Sequence, residues 1–271
     1  MEIDLDAYLA RIGYDGPRTA ELSTLRALHA LHPAAIPFEA IDVLLDRGVD
    51  LTPEAVDAKL IHGRRGGYCF EQNSLFARVL TALGFEVEGL AARVRWNMPP
   101  GAAAQPRTHM VNRVEIDGVS WLADVGFGGC VLSAPLLLDS PDAQAARHDR
   151  YRLVPIAGGV TQEVEREQGW VPAYDLSMVP CVPRDYEMAN WFTSTHPTSH
   201  FRSTLLVALT RPEARYGLLH NRLTVRPVGG EPTREILDAA GIERVLVEVF
   251  GLPVEPSWRP LFDRAVAMGV D

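Results

Sequence analysis

The chain has 271 residues, 47% hydrophobic and 23% charged, which is the balance of a folded globular protein and excludes a disordered or collagen-like one. At ~150 residues per domain the length suits about two domains, and the net charge of −9 excludes a general nucleic-acid binder, because phosphate backbones need a basic footprint. Three cysteines with no CxxC pair exclude a disulfide framework and a cysteine zinc site, so no metal is expected.

The acidic start Met1-Glu2-Ile3-Asp4 is no signal peptide. The longest uncharged apolar-rich run, Val125 to Leu138, is broken by glycine and shorter than the ~18 residues of a membrane span. A cytoplasmic protein with no membrane partner is expected.

The first third reads as helices. Leu5, Tyr8, Leu9 and Ile12 keep helical spacing up to Gly13. Thr19 is a candidate cap for a second helix carrying Leu22, Leu25 and Leu28. Thr52-Pro53-Glu54 is a helix start, and a fourth helix carries Leu75, Phe76, Val79, Leu80 and Leu83 as far as Gly84. The middle third reads as strands: 85–96, a loop over 99–106, a hairpin about Asp117-Gly118, and short strands at 151–156, 160–167 and 170–176. The last third mixes a helix over 185–192, strands at 204–210 and 223–228 with a hairpin tip at His220-Asn221, and short helices at 233–240, 242–250 and 257–268. The resulting divisions are 1–84, 85–192 and 193–271.

Chemistry concentrates at Arg64-Arg65-Gly66-Gly67-Tyr68-Cys69-Phe70-Glu71, a basic glycine turn leading into the fourth helix. At a helix N-terminus, the dipole and the flanking arginines favour thiolate, so Cys69 reads as a nucleophile or, equally, as an inert buried thiol. The hairpin bears on that choice. A two-residue turn pairs Ile116 with Val119, hence Val111 with Asp124 and His109 with Gly126. One face is then apolar: Met110, Val114, Ile116, Val119, Trp121, Ala123 and Val125, with Asn112 the exception. The other carries His109, Val111, Arg113, Ser120, Leu122 and Asp124, with His109 and Asp124 as diagonal neighbours. A carboxylate there orients an imidazole, the logic of an activated thiolate, and a polar face leaves the fold tolerant of Asp124→Asn. Gly126-Phe127-Gly128-Gly129 follows, where backbone approaches a ligand closely; without a Lys-Ser/Thr it is no nucleotide-triphosphate loop.

In order along the chain, Ile36-Pro37-Phe38-Glu39, Arg64 to Glu71, Ala91-Ala92-Arg93-Val94, Thr108-His109, Asp124 to Gly129, and Ser194-Thr195-His196-Pro197 with Phe201 resemble the arylamine N-acetyltransferases of bacterial type. The resemblance implies an α+β fold in three parts: an N-terminal helical bundle, a central β-barrel and a C-terminal α/β lid, around a transglutaminase-like Cys-His-Asp core. It implies an acyltransferase in which Cys69 takes acetyl from acetyl-CoA as a thioester and passes it, ping-pong, to an arylamine or arylhydrazine. His109 is then base and acid, and Asp124 its partner. Phe38, Arg95 and Phe201 would border the acceptor; Thr108, Phe127, Gly128 and Gly129 would lie along the pantetheine arm of coenzyme A.

Two positions depart from relatives: Ala40 stands where Asn is usual, and Arg95 where an apolar residue is frequent. Strand alternation puts Arg93 and Arg95 on one face, so Arg95 either favours acidic arylamines or pairs with a nearby acid. Alternatives with the same three residues are a macrolactam-forming amide synthase of the family and a transglutaminase-like cysteine hydrolase. Cys130 and Cys181 read as packing residues, and His62, His148, His200 and His220 as structural or solvated.

Overall fold

The computed structural model describes residues 3–99 and 101–269; Met1, Glu2, Val270, Asp271 and Pro100, inside the expected 99–106 loop, lie outside the described residues. Helix α1 (Leu5–Ile12) begins where Asp4 accepts the Ala7 N–H at 3.0 Å and ends at Gly13, whose φ of 71° suits glycine. Helix α2 (Leu22–Ala35) starts later than the Thr19 cap predicts: Glu21 is its N-cap and no side chain bonds the open N–H groups. Strand β1 (Phe38–Glu39) and helix α3 (Ile41–Leu44) follow. With Ala at position 40, the Ile41 N–H is met by Glu39 Oε2 at 2.8 Å. Helix α4 (Pro53–Asp57) passes into one π turn over Ala58–His62, and α5 (Cys69–Ala82) crosses the bundle.

Eight antiparallel strands then make the second layer: β2 (Glu86–Val94), β3 (Arg107–Ile116), β4 (Val119–Ala123), β5 (Leu136–Leu137), β6 (Gln144–Ala145), β7 (Arg150–Ile156), β8 (Gly159–Arg166) and β9 (Gly169–Ser177), in the order β5-β4-β3-β2-β9-β8-β7-β6. The sheet curls until its edges nearly meet. Gln144 of β6 accepts the Leu137 N–H at 2.7 Å and donates to the Leu137 carbonyl at 2.9 Å, so one amide side chain replaces a strand pair and blunts both edges.

Helix α6 (Pro183–Thr195) leads to a second antiparallel sheet of β10 (Leu206–Thr210), β11 (Ala214–Leu219), β12 (Arg222–Pro227) and β13 (Thr233–Ile236), with β1 on the outer edge of β10. Helices α7 (Ala239–Glu248) and α8 (Arg259–Met268) cover it. The expected helix at 233–240 is therefore strand β13 followed by the start of α7. The open edge of β12 needs partners for its N–H and C=O groups, and pairing of Arg222 to Val225 with Ile236 to Thr233 supplies them.

The hairpin register is the expected one from Ile116 opposite Val119 to Asn112 opposite Ala123, but the ladder ends there, so the expected Val111–Asp124 and His109–Gly126 pairs are not made. Its apolar face packs on the bundle: Val114, Ile116, Ala123 and Val125 share a core with Tyr8, Leu25, Leu28 and Phe76. The face expected to be polar turns into the barrel, where Val111 and Leu122 pack with Tyr151 and Leu176. A third cluster joins all layers and holds Phe38, Tyr68, Cys69, Phe70, Met110, Tyr186 and Ala208.

The turn before α5 is pinned by buried charges. Lys59, the only lysine, lies 2.6 Å from Glu71 and 2.8 Å from Asp42. Arg65 lies 2.8 Å from Glu39 and 3.1 Å from Asp42, and its guanidinium sits 4.6 Å over the Trp258 ring. Removing one partner of such a network costs about 3–5 kcal/mol, because it strands the other charge. Lys59→Met is expected to reduce stability by that order, seen as a lower thermal midpoint. Lys59→Met/Glu71→Gln should recover most of the loss, since Gln keeps an oxygen for the Tyr68 N–H; calorimetry of both variants reads the difference.

Candidate active site

Cys69 is the first residue of α5, and the turn that delivers it has no spare room. A Cβ on Gly66 would lie 2.1 Å from the Pro37 carbonyl oxygen, so only glycine fits. Glu71 accepts the Tyr68 N–H at 3.0 Å, and Gln72 Nε2 donates to Pro37 O at 2.8 Å and Gly67 O at 3.1 Å. The arginines expected to bias the sulfur are engaged otherwise. Arg65 is held by Glu39 and Asp42, because a buried guanidinium needs carboxylates, and Arg64 is exposed.

The end of β4 meets this turn at Gly126. A Cβ there would lie 2.8 Å from Cys69 Cα and 2.7 Å from Asn73 Nδ2. That approach brings His109 and Asp124 onto Cys69. His109 Nε2 lies 2.8 Å from Asp124 Oδ2, which leaves Nδ1 as the ring nitrogen available to Cys69, whose side chain bears on the imidazole. The sulfur also lies 3.5 Å from the Thr108 carbonyl oxygen. The Phe127 and Tyr174 rings cover the imidazole, each with its centroid 5.0 Å away.

The pair is not on a solvated face: His109 is 2% and Asp124 0% exposed, because the curled sheet closes over them. Asp124 is therefore fully used. Its Oδ1 accepts from Asn73 Nδ2 at 3.0 Å and from the Gly126 N–H at 2.9 Å. Burial works against its charge, but His109, Asn73 and Gly126 outweigh it and hold the carboxyl below the usual range. Burial likewise opposes a charged His109. The Asp124 charge and hydrogen bond, with the Cys69 contact, overcome it and raise the imidazole above its ordinary value.

Of the flanking residues, Phe38 and Phe201 come together, ring centroids 6.0 Å apart, and Phe201 meets Tyr68 at 5.7 Å. Gly128 lies against the Phe38 ring, Gly129 is exposed, and Thr108 is half-buried. Arg95 differs from a free cation: Nη1 lies 2.8 Å from Asp175 Oδ2. Cys130 is buried with its sulfur 3.2 Å from Arg166 Nη2, and burial pushes its thiol up. Sequence reasoning missed Asn73, Tyr174 and Gln72. Asn73 carried a usable signal, since it is four residues beyond Cys69 and so on the same helix face.

The N-acetyltransferase family model matches residues 21–259. The chain is 41% identical over 255 residues to an arylamine N-acetyltransferase of Mycolicibacterium smegmatis, covering 93% of each. It is 40% identical over 253 residues to one of Escherichia coli (strain K12), covering 93% of this chain and 89% of the relative. The chain belongs to the arylamine N-acetyltransferase family. The fold agrees: the arylamine N-acetyltransferase of M. tuberculosis superposes with a TM-score of 0.93 at 36% identity over 97% of this chain and all of the other. That of Mycobacterium marinum in complex with CoA does so with 0.93 at 37% identity, over 98% and 100%. This arylamine N-acetyltransferase fold is α+β, and the chain is an acyltransferase.

Two more imidazoles stand behind the site on α2. Burial pushes His29 down to about 4, against the pull of the Asp124 charge, and His32 down to about 3, against its Gln72 hydrogen bond. The unfolded chain protonates both near the ordinary 6.5. Between there and about 4 the unfolded state binds more protons, so stability falls as pH falls. His109 has the opposite sign: its raised folded value gives stability that is full below 6.5 and is lost as pH rises from there to about 10. The urea midpoint is expected to drop between about pH 7 and pH 5. An equal midpoint at both would mean that the α2 imidazoles are not buried neutral.

Proposed function

We propose that Cys69 carries the acetyl group from acetyl-CoA to the nitrogen of an arylamine or arylhydrazine in two separate steps, with His109 and Asp124 completing a triad. The observation that carries this reading is the buried line from the α5 N-terminus through His109 to Asp124, 2.8 Å from imidazole to carboxylate. In the first step Cys69 Sγ bonds to the thioester carbonyl carbon, the carbon–sulfur bond to coenzyme A breaks, and the thiol proton of Cys69 passes through His109 to the departing sulfur. In the second the amine nitrogen bonds to the acetyl carbon, His109 takes the amine proton, and the Cys69 sulfur leaves and recovers it. First-turn N–H groups of a helix have no intrahelical acceptor, so those of α5 suit the negative oxygen of each tetrahedral intermediate.

Phe38, Tyr68 and Phe201 offer an apolar wall for an aryl ring, which supports an aromatic amine over water as acceptor. Thr108 and the Phe127–Gly129 turn lie on the His109 side and suit the pantetheine arm. A nucleophilic thiol needs a reducing compartment, which fits action in the cytoplasm. Acetyl-CoA alone should acetylate one site, detected by intact mass, and Cys69→Ala should abolish the adduct; an adduct that survives the substitution refutes the assignment. Parallel double-reciprocal lines are expected with amine, and release of acetate at full rate without amine would point to a hydrolase. Asp124→Asn should slow turnover by up to ~10⁴-fold. It should also cost stability, since Asp124 accepts three buried hydrogen bonds.

Acceptor preference depends on how Arg95 is held. Asp175 already occupies its guanidinium, and the pair is part-exposed, with Arg95 39% accessible. Such pairs are worth up to ~1 kcal/mol. Arg95→Val is therefore expected to change the kcat/KM ratio of 4-aminobenzoate to a neutral aniline by less than about fivefold. Asp175→Ala frees the guanidinium and should raise the ratio. A large fall in Arg95→Val would mean that Arg95 binds the acceptor carboxylate despite Asp175.

A further inference from the structure

Strand β4 ends at Ala123, so the N–H of Asp124 has no place in the ladder with β3. It donates to His29 Nε2 at 3.1 Å, from a helix ninety-five residues earlier in the chain. Both residues are completely buried. A backbone N–H only donates, so Nε2 is the bare nitrogen and the ring proton sits on Nδ1. Among the described residues that Nδ1–H has no hydrogen-bond partner from any other residue, and the ring stands edge-on to Phe76 at 5.8 Å. An orphaned donor in a core is unfavourable, and an apolar side chain of similar shape would remove it. The site keeps one half of the imidazole unsatisfied for the sake of the bond made by the other half.

That bond controls a particular rotation. The Asp124 carboxylate is fixed to His109, Asn73 and the Gly126 N–H, and Val125 N–H is fixed to Asn73 Oδ1 at 3.0 Å. The one backbone group of this segment held from the α2 side is the Asp124 N–H. We propose that His29 is a positioning residue of the acetyl-transfer site: by accepting the Asp124 N–H it fixes the peptide plane from which the carboxylate reaches His109. This rests on the Cys69–His109–Asp124 reading above. The charged and titratable groups that bear on the two imidazoles are Asp124 for His29, Asp124, Cys69 and Tyr174 for His109, and, next to His29 on α2, His32.

The test starts on the wild-type enzyme. In protein carrying ¹⁵N-labelled histidine, His29 should show a bare Nε2 and a protonated Nδ1 at neutral pH, assigned by comparison with His29→Gln. A protonated Nε2 overturns the proposal, because no bond to the Asp124 N–H is then possible. His29→Leu should fold with a modestly lowered thermal midpoint, since it removes one unpaired donor, Nδ1–H, and leaves another, the Asp124 N–H. It should form the acetyl-enzyme from acetyl-CoA about ten- to a hundredfold more slowly, as expected for a misaimed catalytic group. The titration of His109 should move down toward that of a free imidazole, with the KM for amine unchanged. His29→Gln, which returns an acceptor oxygen, should restore part of the rate and of the titration. If His29→Leu acetylates at the wild-type rate with His109 unmoved, His29 only fills space. If it does not fold, the His29 tautomer and the Gln variant still decide. Loss of the adduct in Cys69→Ala tests the triad separately, so failure of one reading is not failure of the other.

Discussion

The end of β4 can lie against the start of α5 only because position 126 has no side chain. A Cβ there would collide with Cys69 Cα and with the Asn73 amide, and both are rigid parts of a buried helix turn. The constraint acts in both directions. It lets two strand-borne side chains reach the sulfur, and it leaves Asn73 next to the strand end, where one amide donates to Asp124 Oδ1 and Met110 O and accepts from Val125 N–H. Helix and strand are thereby locked in register by groups that are themselves next to the reacting atoms. The shared core of the hairpin with α1, α2 and α5 then makes the bundle and the barrel one body at this point.

A carboxylate and an imidazole with no exposure to water form a costly pair unless every lone pair is met. Here Asp124 has three donors and His109 two partners, and aromatic rings cover the remainder. What the pair provides is a permanently oriented imidazole, made more basic than in water, at the mouth of an otherwise apolar cluster. The second group of charges, Lys59, Arg65, Glu39, Asp42 and Glu71, does a different job. Its two cations and three carboxylates pair with one another and hold the glycine turn, so Arg65, close to Cys69 in sequence, is taken up by Glu39 and Asp42.

Local signals carried much of this. Asp117-Gly118 set the hairpin register and hence the His109–Asp124 diagonal, and Gly13 and Gly84 stopped their helices where expected. Signals that depend on distant partners were not legible. The 233–236 segment has no strong strand pattern and becomes a strand because β12 needs an edge partner. The His109 face looks solvated when the hairpin is taken alone, and only curling of the whole sheet buries it. Asp175 is eighty residues from Arg95, and His29 ninety-five from Asp124; no spacing rule links either pair. The core motif was readable because its members sit beside turns, and its supports were not because they sit in the middle of helices and strands.

Enclosure also bears on the order of events. Cys69 is 5% exposed, and its surroundings are already filled by Tyr68, Phe70, Met110 and Phe38 on one side and by the covered imidazole on the other. A ternary mechanism needs the donor thioester and the acceptor nitrogen side by side at one carbon, in a space these side chains already crowd. One imidazole, bound through Nε2 to Asp124, has a single nitrogen left for proton transfer. That nitrogen can relay the proton of the sulfur in one step and that of the amine in the next. Enclosure of the sulfur thus supports the proposed storage of the acetyl group on Cys69 while the first product leaves and the second substrate takes its place.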